Sequence, residues 1–112
     1  MKITHLNANK VLFNNIYLCN TFIKKLRGLM FFKSWPQKYD CFLFYSCNMI
    51  HSFFVKFPFD AVFLNKDKKI LYLKSYKINE LGPYVKNGYY ILETPLGTID
   101  KLGIKINDNL SF

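Results

Sequence analysis

Four residues of this 112-residue chain bear on chemistry: Arg27, His51, Asp60 and Glu93. His51 and Asp60 lie in His51-Ser-Phe-Phe-Val-Lys-Phe-Pro-Phe-Asp60-Ala-Val-Phe-Leu64, a run that otherwise reads as buried aromatic strand. An ionisable group at a core position is costly unless paired, so Asp60 needs a partner. Arg27 is the first candidate, the single arginine among 16 basic residues. In a chain that uses lysine everywhere else, it points to a need for the planar, two-pronged guanidinium. Alternation along a strand groups Asp60 with Val62 and Leu64, and Glu93 with Ile91 and Tyr89. Both carboxylates then lean toward apolar surroundings, and each is within reach of Arg27. The expected cluster is Arg27 held by Asp60 and Glu93, either as a structural brace or as the grip of a ligand site that includes His51.

Other chemistry has less to stand on. His51 and Asp60 could act as a base and its orienting acid in a small hydrolase or transferase. No nucleophile-elbow pattern accompanies them, and alternation aims Ser52 away from His51. Cys41, Cys47 and His51 have no standard zinc spacing and no second ligand pair, so no metal is expected. Glycine-rich phosphate cradles are absent, and no motif requires a cofactor.

The elements that must position these residues are short. Val11–Phe13 and Ile16–Cys19 around Asn14-Asn15 read as a hairpin. Thr21 caps a helix with Phe22, Leu26 and Leu29 or Met30 on one face, stopped at Gly28. Residues 41–45 read as a central strand and 53–57 as an extended piece. Residues 59–64 and 70–76, around Asn65-Lys-Asp-Lys-Lys69, form the clearest hairpin. Residues 88–93 read as a strand, followed by a helix capped at Thr94-Pro95 and ended by Gly103. Residues 104–106 and 110–112 alternate as strands. The sum is a mainly β, compact antiparallel barrel or sandwich with two short α-helices, one domain over 1–112. Trp35 in the loop before residue 41 is expected to close the core.

Composition narrows the class. Apolar residues make up 51% and aromatics 19%, which excludes a disordered chain. The formal charge of +9 attracts phosphates and anionic headgroups. The lysines are scattered, however, and no nucleic-acid motif accompanies them. An RNA- or membrane-surface binder is therefore a second alternative. No stretch has the length and apolarity of a membrane span. Residues 1–10 hold no signal-peptide core, and three cysteines fit a reducing compartment. The reading is cytoplasmic.

The chain also resembles a known family. Arg27-Gly-Leu-Met30, His51 through Asp60 and Val62-Phe-Leu-Asn-Lys-Asp67 follow one another as in domain-of-unknown-function family 192. Ile91-Leu-Glu-Thr-Pro-Leu-Gly97 and Gly103-Ile-Lys-Ile-Asn-Asp108 fit its C-terminal half. The resemblance spans about residues 10–112. It implies a small, mainly β domain, barrel-like or sandwich-like with short helices, and no established activity. It matches Arg27, Gly28, Met30, His51, Pro58, Asp60, Glu93, Gly97 and Asp108 to the family's characteristic positions without giving any of them a role. Val55, Phe59 and Asn107 depart from the family pattern, which usually has Met, Ile or Leu, and Gly there. The functional expectation is a non-enzymatic binding or accessory module with a polar cleft for a small anionic or peptide ligand.

Overall fold

A computed structural model describes residues 1–112. Eight strands and two helices follow in the order β1 (Ile3–His5), β2 (Lys10–Phe13), β3 (Ile16–Cys19), α1 (Phe22–Arg27), β4 (Cys41–Tyr45), β5 (Phe59–Leu64), β6 (Ile70–Tyr76), β7 (Tyr90–Pro95), α2 (Thr98–Leu102) and β8 (Leu110–Ser111). They form a five-stranded sheet, β3-β4-β7-β5-β6, and a three-stranded sheet, β2-β1-β8. The fold is sandwich-like, with no closed barrel. All pairings are antiparallel except β3 with β4, which run parallel.

The large sheet is buried on both faces, so β5 reads Phe-Asp-Ala-Val-Phe-Leu with every residue buried. Alternation divides that run between two cores. Phe59, Ala61 and Phe63 join Phe42, Phe44 and Ile91 on the face that also packs Leu29, Ile50 and Val55. Val62 and Leu64 join Cys41, Leu43, Leu92 and Ile70 on the other face, against Ile3, Phe13 and Leu110 of the small sheet. Helix α1 lies against β3, and α2 lies against β5. Trp35 packs edge-on to Phe42 at 5.6 Å between centroids, and its indole N–H donates to the Tyr39 carbonyl.

Locally encoded turns form as the residues suggest. The Asn65 side chain accepts from the Asp67 and Lys69 amides at 3.0 Å, closing the β5–β6 hairpin. The Thr21 hydroxyl caps α1 by accepting from the Lys24 amide. Four local expectations are corrected. Asn14-Asn15 is no hairpin turn: β2 pairs with β1 and β3 with β4, so the chain passes there from one sheet to the other. The Asp40 carboxylate holds that passage, accepting from both Asn amides at 3.0 Å. Residues 53–57 make turns rather than a strand, and 104–106 form a loop. Helix α2 begins at Thr98 with Gly97 as its N-cap, because β7 continues through Thr94 to Pro95. No helix is long and apolar enough to cross a membrane.

Candidate functional site

The register between β5 and β7 decides how the expected site is built. Asp60 stands opposite Thr94, and Glu93 stands opposite Ala61. Directly paired residues share a face, so a one-residue offset puts Asp60 and Glu93 on opposite faces of the sheet. One guanidinium cannot meet both.

Asp60 faces α2 and is 1% exposed. One carboxylate oxygen accepts from the Gly97 and Ile99 amides at 3.1 and 3.0 Å. The other accepts from the Ser75 hydroxyl at 2.7 Å. The first turn of α2 has no side-chain cap of its own, and Asp60 supplies one from a neighbouring strand. The partner that its burial demanded is therefore a helix terminus and a serine, not Arg27.

Arg27 is exposed at the end of α1. Its guanidinium carbon sits 4.7 Å from the centre of the Phe32 ring, a cation–π contact. No carboxylate lies within salt-bridge distance of it. Register thus rules out a brace across both carboxylates, and Arg27 forms an ion pair with neither. Arg27→Lys should accordingly shift stability by less than about 0.5 kcal/mol. Chemical denaturation checks this; a larger loss would mean that the guanidinium has a hidden structural partner.

Glu93 occupies the other face. It projects from β7 between Phe42 of β4 and Ala61 of β5, is 3% exposed, and its Oε1 has no hydrogen-bond partner within the protein. Burial pushes its carboxyl up to about 8, so at neutral pH it is largely a neutral acid with a proton to donate. A cavity of about 260 Å³ adjoins it. Phe22, Leu26, Met30, Phe44, Met49 and Val55 supply apolar walls, while Lys25, Arg27 and His51 also line it. The C-cap Gly28, at φ +46°, forms part of the wall, and a Cβ there would stand 3.0 Å from Phe44 and 3.6 Å from Glu93 Oε1. The backbone passes close because residue 28 has no side chain. Phe22 and Met49 are exposed, so the cavity opens to the surface between α1 and the 46–52 loop.

The structure thus brings Arg27, His51 and Glu93 to one cavity and leaves Asp60 out. The expected base–acid pair of His51 and Asp60 is not formed, since the sheet separates Asp60 from the cavity. His51 Nδ1 instead accepts from the Phe53 amide at 3.1 Å, and the ring stacks on Phe53. In the neutral ring the proton then sits on Nε2. Ser52 is fully buried, donates to the Lys77 carbonyl at 2.6 Å and accepts from the Glu80 amide at 2.7 Å. It ties two loops together. Cys47 lines the cavity, but burial raises its thiol above the ordinary range, which makes it a poor nucleophile.

Sequence reading missed two features. One is a His5–Asp108 pair at 2.8 Å, joining β1 to the turn before β8. The other is the role of Cys47 and Met49 as cavity wall. A part-buried polar pair so far apart in sequence has no local signal, and the wall residues are set by a loop conformation.

The family model of domain-of-unknown-function family 192, described as uncharacterized ACR, matches residues 4–112. The chain belongs to that family. Among relatives of this family 192 domain is a UPF0127 protein of Thermococcus sibiricus, 31% identical over 108 residues, covering 92% of this chain and 69% of the relative. A UPF0127 protein of Pyrococcus furiosus is 29% identical over 101 residues, covering 87% and 85% respectively. A crystal structure of a protein of unknown function from Novosphingobium aromaticivorans superposes with a TM-score of 0.80 at 19% identity, over 99% of this chain and 82% of that one. The last likeness concerns the fold alone.

Proposed function

We propose that this family 192 domain is a non-enzymatic binding or accessory module, and that the cavity beside α1 is its ligand site. The ligand is a small molecule or a peptide side chain with an apolar body and one uncharged hydrogen-bonding end. The observation that carries the reading is the Glu93 carboxyl, buried and unpartnered beside an open apolar cavity. An unmade buried hydrogen bond is costly to keep, and a ligand that completes it recovers that cost. A neutral acid donates to a carbonyl and accepts from an amide N–H, which suits a carboxamide. Lys25 and Arg27 favour an anionic group nearer the mouth and disfavour a cationic one. We infer a cytoplasmic setting as well, since Cys19, Cys41 and Cys47 remain free thiols.

The test uses octanamide and octylamine as probes that share one apolar body. Amide resonances of Gly28, Leu29, Cys47 and Glu93 should shift on adding octanamide and move far less with octylamine. The octanamide response should vanish in Glu93→Leu. Absence of any shift with octanamide, or an equal response in Glu93→Leu, would overturn the reading.

A further inference from the structure

Two phenylalanines of this chain hold a backbone conformation that bulky residues avoid. Phe31 has φ 71° and Phe54 has φ 63°. Elsewhere the chain meets the same demand mostly with asparagine, at Asn9, Asn79, Asn87 and Asn107, or with glycine; Ser46 and Lys68 are the other two, and no other aromatic residue does so. Neither phenylalanine gains burial in return, since they are 63% and 65% exposed. Their rings stand 5.9 Å apart, and the Phe31 amide donates to the Phe54 carbonyl at 3.1 Å, so two turns together hold the pair outward. Strain kept at an exposed position points to a use for the side chain rather than to folding.

Helix α1 extends the same apolar surface. It has no buried residue. Phe22, Ile23 and Leu26 are 76%, 72% and 57% exposed. At about 100° per residue they form one stripe, with Lys25 on one side and Arg27 on the other. The turn bearing Phe31 follows α1 directly, and Phe54 precedes Val55, which shares the cavity wall with Phe22 and Leu26.

We propose that Phe22, Ile23, Leu26, Phe31 and Phe54 form a docking surface for an anionic lipid membrane, with Lys25 and Arg27 meeting headgroup phosphates. Charge complementarity selects this occupant: the chain carries a formal +9, and three of its cations lie on α1 itself. Lysine is depleted at the cores of protein–protein interfaces. At a lipid surface its stem lies along the apolar layer while the ammonium reaches the phosphates. Exposed aromatic and aliphatic side chains interleaved with cations are what interfacial binding uses. The surface overlaps the cavity at Phe22, Leu26, Lys25 and Arg27, whereas Ile23, Phe31 and Phe54 do not line it, so variants at Phe31 and Phe54 probe the surface alone.

Vesicle sedimentation tests this, comparing pure phosphatidylcholine with phosphatidylcholine containing roughly a quarter phosphatidylglycerol. The protein should pellet with the anionic vesicles, stay in solution with the neutral ones, and be released by high salt. Phe31→Asn/Phe54→Asn should weaken that partitioning by about tenfold or more. Its melting temperature should be equal or higher, because asparagine accepts positive φ. Lys25→Glu should weaken binding as well. Three results would overturn the proposal: no binding of the unaltered protein to anionic vesicles, undiminished binding of the asparagine variant, or self-association lost in that variant without any vesicle binding. The octanamide response at Gly28 should survive in the asparagine variant, which keeps the two readings apart.

Discussion

Replacing Asp60 with alanine should lower the unfolding free energy by about 2–3 kcal/mol, a large loss for a single polar side chain. The carboxylate accepts three hydrogen bonds while 1% exposed. Alanine leaves the Gly97 and Ile99 amides and the Ser75 hydroxyl without that acceptor, at part-buried bonds where water replaces it only in part. It also removes a negative charge from the positive end of α2. Asp60→Asn should fall between the two, since one amide oxygen can still accept from the helix. Urea denaturation gives the magnitude. Hydrogen exchange should show the Gly97 and Ile99 amides losing protection first. A loss under about 1 kcal/mol for the alanine variant would mean that α2 finds another cap.

The second large effect is a pH dependence set by Glu93. Burial raises its carboxyl from an ordinary 4.5 to about 8 in the folded protein. Below pH 4.5 the side chain is protonated in both the folded and unfolded chains, and its contribution to stability is fully present. As pH rises, the unfolded chain releases the proton first while the folded one retains it. Stability is therefore lost across the window from 4.5 to about 8, with a slope of up to about 1.4 kcal/mol per pH unit. Cys19, Cys47 and Tyr76, the titratable neighbours on this face, are all pushed upward by burial and remain protonated over that window. His51, Lys25 and Arg27 line the cavity too. The informative quantity is thus the difference between the unaltered protein and Glu93→Gln, which holds those groups constant. That difference should move in favour of Gln with rising pH and level off above about 8. A pH-independent difference would mean that Glu93 titrates normally and that the cavity floor is wet.

How much of this was legible from residues alone depended on the reach of each interaction. Thr21 and Gly28 delimit α1 through bonds spanning a few residues, and Asn65 closes its hairpin within four. Those signals are carried by neighbours in sequence. The burial of Asp60 was legible too, because Val62 and Leu64 share its face. Its partners were not: Gly97 and Ile99 lie 37 and 39 positions away and offer only backbone amides, which no residue type advertises. The mistaken pairing with Arg27 followed from that. A carboxylate seeking a cation looks to side chains, whereas a helix terminus satisfies it equally well. Asp60 and Glu93 were set side by side because each strand was read alone. Only the pairing register, 60 with 94, reveals that they face opposite ways. The parallel placement of β3 against β4 was similarly out of reach, since it depends on where the chain crosses between sheets. Glu93, by contrast, was singled out by the apolar residues around it.

The small sheet places β1 between β2 and β8, and His5 bonds to Asp108 across 103 positions. During synthesis the nascent polypeptide must therefore carry Val62, Leu64 and Leu92 with that side of the large sheet only partly covered. The last layer closes when Leu110 and Ser111 emerge from the ribosome. Closing so long a loop is entropically slow. Shielding by a chaperone should matter most for this domain in the interval before Leu110 and Ser111 are available to pair with β1.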